Sequence, residues 1–194
     1  MGSNMSLKIE LKDTRPSVWR RVTVPAFITL DRLHDVIQIV MGWSDTHSHE
    51  FLIGGNRYVS DPEEGLSGGC LEEETVRLGT LFVKPGSFQY TYDFGDDWIH
   101  NIEIEKTGLE DDPEWGNLFC TEGEGACPPE DVGGIPGFEH FCEAISDRKH
   151  PEHKAMKEWY GDDFDKDFFD PDEVNLGLLF YIRWSRDRSL TWIE

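Results

Sequence analysis

His47, His49 and His100 are the side chains best suited to chemistry in this sequence. His47 and His49 stand two apart in SDTHSHEFLI, a stretch read as extended, so both rings point to one side of it. Two imidazoles at that spacing can reach one divalent metal ion. His100, in DFGDDWIHNIEIE, can supply a third nitrogen, with an acidic residue or water completing the shell. Such a centre would support metal-dependent, hydrolase-like chemistry. The alternative for His47 and His49 is an exposed pair beside a loop, and for His100 a packed histidine with its nitrogens hydrogen-bonded. His34, at the border of a helical apolar stripe, is read that way.

The other polar residues with potential roles fall in three places. Asp93, Asp96 and Asp97 surround a turn, Glu130 and Asp131 sit in the loop CPPEDVGG, and Arg20 and Arg21 are adjacent in VWRRVTV. Asp93-Phe94-Gly95 matches the magnesium-binding triplet of protein kinases. The match is coincidental, since the chain has no glycine-rich phosphate loop and no His-Arg-Asp catalytic loop. Cys70, Cys120, Cys127 and Cys142 form no Cys-x-x-Cys pair and are read as free thiols. Cys120 and Cys127 can alternatively close a small loop or bind metal, although six intervening residues match the usual zinc spacing poorly.

These residues need elements to position them. LKIELK alternates Leu7, Ile9 and Leu11 with charge, and VWRRVTV forms a second strand ended by Pro25. Whichever face of that second strand is buried takes an arginine with it, which then needs a carboxylate or several carbonyls. Thr29 is the expected N-cap of a helix over LDRLHDVIQIVMGW, with Leu30, Leu33, Ile37, Val40 and Met41 facing the core. Two strands follow, and then a glycine- and acid-rich loop over Asp61 to Glu74 that is read as mobile. Phe88, Tyr90, Tyr92 and Phe94 alternate before the turn; Trp98, His100, Ile102 and Ile104 alternate after it. A three-residue turn over Gly95–Asp97 would set Phe94 opposite Trp98 and Tyr92 opposite His100, with the aromatics on one face.

From Thr107 to Gly137 the periodicity dissolves into an expected long loop, with its CPPEDVGG stretch ordered and packed. Helices close the chain. Phe138, Phe141 and Ile145 stripe one, PEHKAMKEWYG forms another, and Pro171, Val174, Leu178 and Leu179 mark the last. Strands first and helices last imply a single α+β domain with an antiparallel sheet, an early helix and a C-terminal helical portion. The expected domain spans residues 7–180; residues 1–6 read as an expression scar and start, and 181–194 as a tail.

The 194 residues carry 39 acidic against 18 basic side chains, a formal charge of -21. That field repels phosphate backbones and anionic lipid and attracts cations or basic partners. Nucleic-acid binding would require Arg20, Arg21, Arg32 and Arg57 to form one basic face. No apolar run has the length of a membrane span or signal core, so the expectation is a cytoplasmic protein.

Several blocks carry a family resemblance. PSVWRRVTVP, TLDRLHDVIQIVMGWSDTHSHEF, YTYDFGDDWIHNIEIE and CPPEDVGGIPGFEHF occur in that order, with FDPDEVN near the end. Together they resemble the plasmid pRiA4b ORF-3-like family, also described as insertion-element passenger proteins, from about Leu7 to Leu178. The resemblance implies one α+β domain and no established reaction. The family block reads His-Leu-His where this chain has His47-Ser48-His49. Many members carry a cysteine where Val132 stands, so a metal site built on cysteines around Cys127 is not implied. The leading functional expectation is an acidic protein-binding or regulatory module linked to plasmid or mobile-element genes. The alternative is a divalent-metal enzyme using His47, His49 and His100.

Overall fold

Alternation in the first strands decides which way the sheet faces. The computed structural model describes residues 2–62, 69–161 and 164–184. β1 (Asn4–Leu11) turns Met5, Leu7, Ile9 and Leu11 into the core and pairs antiparallel with β2 (Trp19–Pro25) on one side and β7 (Trp98–Leu109) on the other. The fold thus begins at Asn4, inside the segment expected to be an expression scar. The last helix runs on to Trp184, and residues 185–194 of the expected tail lie outside the described residues.

The remaining strands are β3 (His49–Ile53), β4 (Asn56–Val59), β5 (Leu71–Glu72), β6 (Gly86–Tyr92) and β8 (Phe119–Glu124). They complete an eight-stranded sheet in the order β5-β4-β3-β6-β7-β1-β2-β8, antiparallel except for the β4–β5 pair. α1 (Leu30–Met41) packs Leu30, Leu33, Ile37, Val40 and Met41 into the core beneath the sheet. Thr29 has the extended backbone of an N-cap, but its side chain caps nothing; the Leu30 amide is tied instead to the Val76 carbonyl. α2 (Leu78–Leu81) is a single turn, and α3 (Gly134–Ser146), α4 (His153–Tyr160) and α5 (Pro171–Trp184) close the domain. One α+β domain with one hydrophobic core results. In α5, Leu178 is buried, whereas Leu179, expected beside it in the core, is 53% exposed.

Two expectations are corrected by turn chemistry and pairing. Across the β6–β7 hairpin, Tyr92 pairs with Trp98, Tyr90 with His100 and Phe88 with Ile102. The expected pairs Phe94–Trp98 and Tyr92–His100 are therefore two residues out. Asp93 adopts φ 56° and Asp97 φ 58°, the Asp97 amide donates to the Asp93 carbonyl, and the Gly95 amide donates to Asp93 Oδ1 at 2.8 Å. These bonds make residues 93–97 the turn and leave Phe94 50% exposed. A slip of two keeps every side chain on its face, so the aromatic face survives.

The expected long loop after Thr107 contains β8, which lies at the sheet edge and carries Glu122 and Glu124 in place of an apolar alternation. Its outer side is met by Asn175 of α5, whose Oδ1 accepts from the Cys120 amide at 2.7 Å and whose Nδ2 donates to the Cys120 carbonyl at 2.9 Å. Of the loop expected to be mobile over Asp61–Glu74, residues 63–68 lie outside the described residues. β5 and the buried Glu73 belong to the fold.

Candidate functional site

α1 ends where Gly42 takes a left-handed backbone at φ 90°, and the chain then runs from Trp43 to Ser48 across the end of the sheet before entering β3. Trp43 anchors this run. Its Nε1 donates to the Pro128 carbonyl at 3.0 Å, and its ring lies 4.9 Å from that of Tyr92. The loop before α3 approaches the 93–97 turn closely. The Gly133 amide donates to Asp96 Oδ2 at 3.0 Å, and a Cβ on Gly134 would lie 2.6 Å from the Asp96 carbonyl oxygen, so no side chain fits there.

Three segments therefore converge on His47. Its Nε2 lies 3.3 Å from Asp131 Oδ1, 3.7 Å from Asp93 Oδ2 and 4.0 Å from Glu130 Oε2. Glu130 Oε1 accepts from the Ser44 amide at 2.9 Å, the Ser44 hydroxyl at 3.1 Å and the Tyr92 hydroxyl at 3.1 Å. The Tyr92 oxygen in turn accepts from the Thr46 amide at 3.1 Å, and burial raises the Tyr92 pKa. Asp97 holds the turn through its backbone and does not join the cluster.

The structure does not bring His47, His49 and His100 together. His49 stacks on His34, with centroids 3.5 Å apart, and places Nε2 3.0 Å from both oxygens of the buried Glu73. His34 puts Nε2 2.9 Å from Asp45 Oδ1 and Nδ1 2.7 Å from the Tyr90 hydroxyl, to which Gln38 donates. The Tyr90 hydroxyl thus donates to Nδ1, and His34 Nε2–H donates to Asp45. Burial, helped by the charge of His49, holds the His34 pKa at about 4. His100 is fully buried, with Nδ1 3.3 Å from the Tyr90 carbonyl and Trp43 edge-on at 5.3 Å. Burial brings its pKa down to about 4. Among the described residues, the side chains that could share an ion fall into two groups, His34–Asp45–His49 and His47–Asp93–Asp131, and neither contains His100. Strand spacing did not identify His34 and Glu73 as neighbours of His49, Asp45 as a partner of His34, or Tyr92 as a partner of Glu130, because each pair joins two separate segments.

The arginine pair divides by face. Arg20 is buried and donates to four carbonyls, those of Val40, Trp19, Glu124 and Gly125, with its guanidinium 4.3 Å from the centre of the Phe169 ring. Desolvation lowers its pKa. Arg21, on the opposite face, is paired with Glu105 and Glu122, and Arg57 is paired with Glu50. With Arg32 also buried, these four arginines form no basic face.

Beside the His47 cluster, and sharing Glu130 with it, is a cleft of about 640 Å³ walled by Trp43, Trp159, Tyr160, Phe164, Phe168 and Phe169. Arg20 is at its floor, and Glu130, Asp170 and Glu173 supply carboxylates. Trp159, Tyr160 and Phe168 are 50%, 47% and 54% exposed.

The model of the plasmid pRiA4b ORF-3-like protein family matches residues 3–173. The chain belongs to that family. It is 41% identical over 163 residues to y4hQ, an uncharacterized protein of Sinorhizobium fredii (strain NBRC 101917 / NGR234), covering 83% of this chain and 82% of that protein. MM3350, a protein of unknown function from Methanosarcina mazei Go1, has a crystal structure that superposes with a TM-score of 0.79 at 34% identity. The match covers 88% of this chain and 96% of that one. Among the described residues no helix is long and apolar enough to cross a membrane. This chain has the α+β fold expected of it, and the His47 cluster and the cleft are features of its ORF-3-like domain.

Proposed function

We propose that this ORF-3-like protein is a protein-binding or regulatory module whose aromatic cleft receives a basic segment of a partner through an apolar anchor residue. The observation that carries this reading is the grouping of Trp159, Tyr160 and Phe168, each about half in water, around one concavity. Isolated exposed apolar side chains are ordinary, but contiguous aromatic surface marks an interaction site, and Trp and Tyr dominate binding hot spots. Glu130, Asp170 and Glu173 at the cleft and the formal charge of -21 favour lysine or arginine flanking the anchor. The four unpaired cysteines support a reducing, cytoplasmic setting, and the plasmid origin of the family description supports a link to plasmid or mobile-element genes.

Panning a phage-displayed library of random peptides against the full chain tests this reading. Enrichment of sequences pairing an aromatic or aliphatic residue with Lys or Arg is expected, weakening as salt rises and lost in the Trp159→Ala/Phe168→Ala double variant. Equal enrichment on the folded double variant would overturn it. So would a concentration-dependent dimer of the wild type that the double variant abolishes, since the cleft would then be filled by a second copy.

A further inference from the structure

We propose that His47, Asp93, Glu130 and Asp131 bind one divalent transition-metal cation at the junction of the 43–48 segment, the 93–97 turn and the loop before α3. The ligand atoms of His47, Asp93 and Asp131 all lie within 4.8 Å of one another, and Glu130 Oε2 is 4.0 Å from the same imidazole nitrogen. An ion with bonds of about 2.0–2.2 Å needs donors separated by roughly 3–4.4 Å, so small side-chain rotations complete the shell.

Two further observations separate this cluster from an ordinary acidic surface. Asp93 is an almost fully buried carboxylate, its side chain only 9% exposed. Its Oδ1 is taken by the Gly95 amide, while Oδ2, facing His47 at 3.7 Å, accepts no hydrogen bond among the described residues. Glu130 Oε2 is buried without a hydrogen bond, although its sister oxygen accepts three. Leaving the Glu130 oxygen unpaired is costly, and a cation beside it removes the cost.

The charge balance agrees. Among the described residues the three carboxylates have no lysine or arginine partner, and a protonated His47 would offset one charge of three. Ser44, Tyr92 and the Gly95 amide orient the ligands from behind, as outer-shell donors do in metal centres. One imidazole with several carboxylates suits Zn²⁺, Mn²⁺ or Fe²⁺ better than an all-oxygen calcium or magnesium cage.

The test is calorimetric titration of the chelator-treated full chain with Zn²⁺, and with Mn²⁺ followed by electron paramagnetic resonance. One equivalent is expected to bind. His47→Gln and Asp131→Asn, both at solvent-accessible positions, should each weaken binding at least about tenfold. His34→Gln, in the other histidine group, should leave it unchanged. Circular dichroism and thermal unfolding identify variants that remain folded. Absence of a stoichiometric site in the wild type, undiminished binding by the folded His47→Gln/Asp131→Asn double variant, or loss of binding in a folded His34→Gln variant would each overturn the proposal.

Discussion

His34 and His49 lie face to face, 6° from parallel, with each Nε2 against a different carboxylate, Asp45 for His34 and Glu73 for His49. Two imidazoles this close do not both carry charge at low cost. Desolvation, with His49 adding to it, lowers the His34 pKa, so His34 is neutral near pH 7.

That assignment has a pH consequence. His34 and His100 bind their protons near pH about 4 when folded, against an ordinary 6.5 when unfolded. Between those values the unfolded chain holds more protons, so their contribution is fully present above pH 6.5 and lost as pH falls toward 4. His100, fully buried, should account for about 3 kcal/mol of that loss. Urea unfolding at a series of pH values checks this. In His100→Asn the slope between those limits should flatten, and an unchanged slope would contradict the assignment.

Arg20 and Arg21 should differ sharply despite being neighbours. Arg20→Ala strands four carbonyls that the guanidinium satisfies from within the core, and a loss of roughly 3–5 kcal/mol is expected. Arg20→Lys should recover only part, because an ammonium cannot span the same fork. Arg21→Ala removes partly exposed pairs with Glu105 and Glu122 and should cost about 1 kcal/mol or less. Equilibrium denaturation of the three variants reads this directly.

Asn175 stands in for a ninth strand along one residue of β8. Asn175→Ala removes a donor and an acceptor facing the buried Cys120 backbone, and a cost of about 2–3 kcal/mol is expected. Hydrogen exchange at the Cys120 amide should rise more than exchange in β1. Uniform acceleration across the sheet would show that the substitution acts globally instead of through the docking of α5.

Duplex DNA should not be bound more tightly than about micromolar near physiological salt, because counterion release needs clustered cations. Arg20 is buried, Arg21 and Arg57 are paired with glutamates, and the net charge is -21. Fluorescence anisotropy with a labelled duplex across a salt series measures it.

The alternation of Leu7, Ile9 and Leu11 and of Phe88, Tyr90 and Tyr92, the helical stripe from Leu30 to Met41, and the blocks shared with the family were all legible in the chain. Each is a local periodicity whose buried face is dictated by side-chain polarity. The face of His100 was legible for the same reason, whereas its partner was not. Parity follows from the pattern, but absolute register depended on Asp93 accepting left-handed backbone and two turn hydrogen bonds. β8 was hidden because an edge strand pairs through its backbone and needs no apolar alternation. Only tertiary structure could separate His47 from His49. Residues two apart share a side of an extended chain, yet His49 is drawn inward by Glu73 and the His34 ring, while His47 precedes the strand and faces carboxylates carried in by two other segments. Those carboxylates lie more than twenty residues away along the chain, and sequence spacing carries no information about which distant carboxylate will arrive.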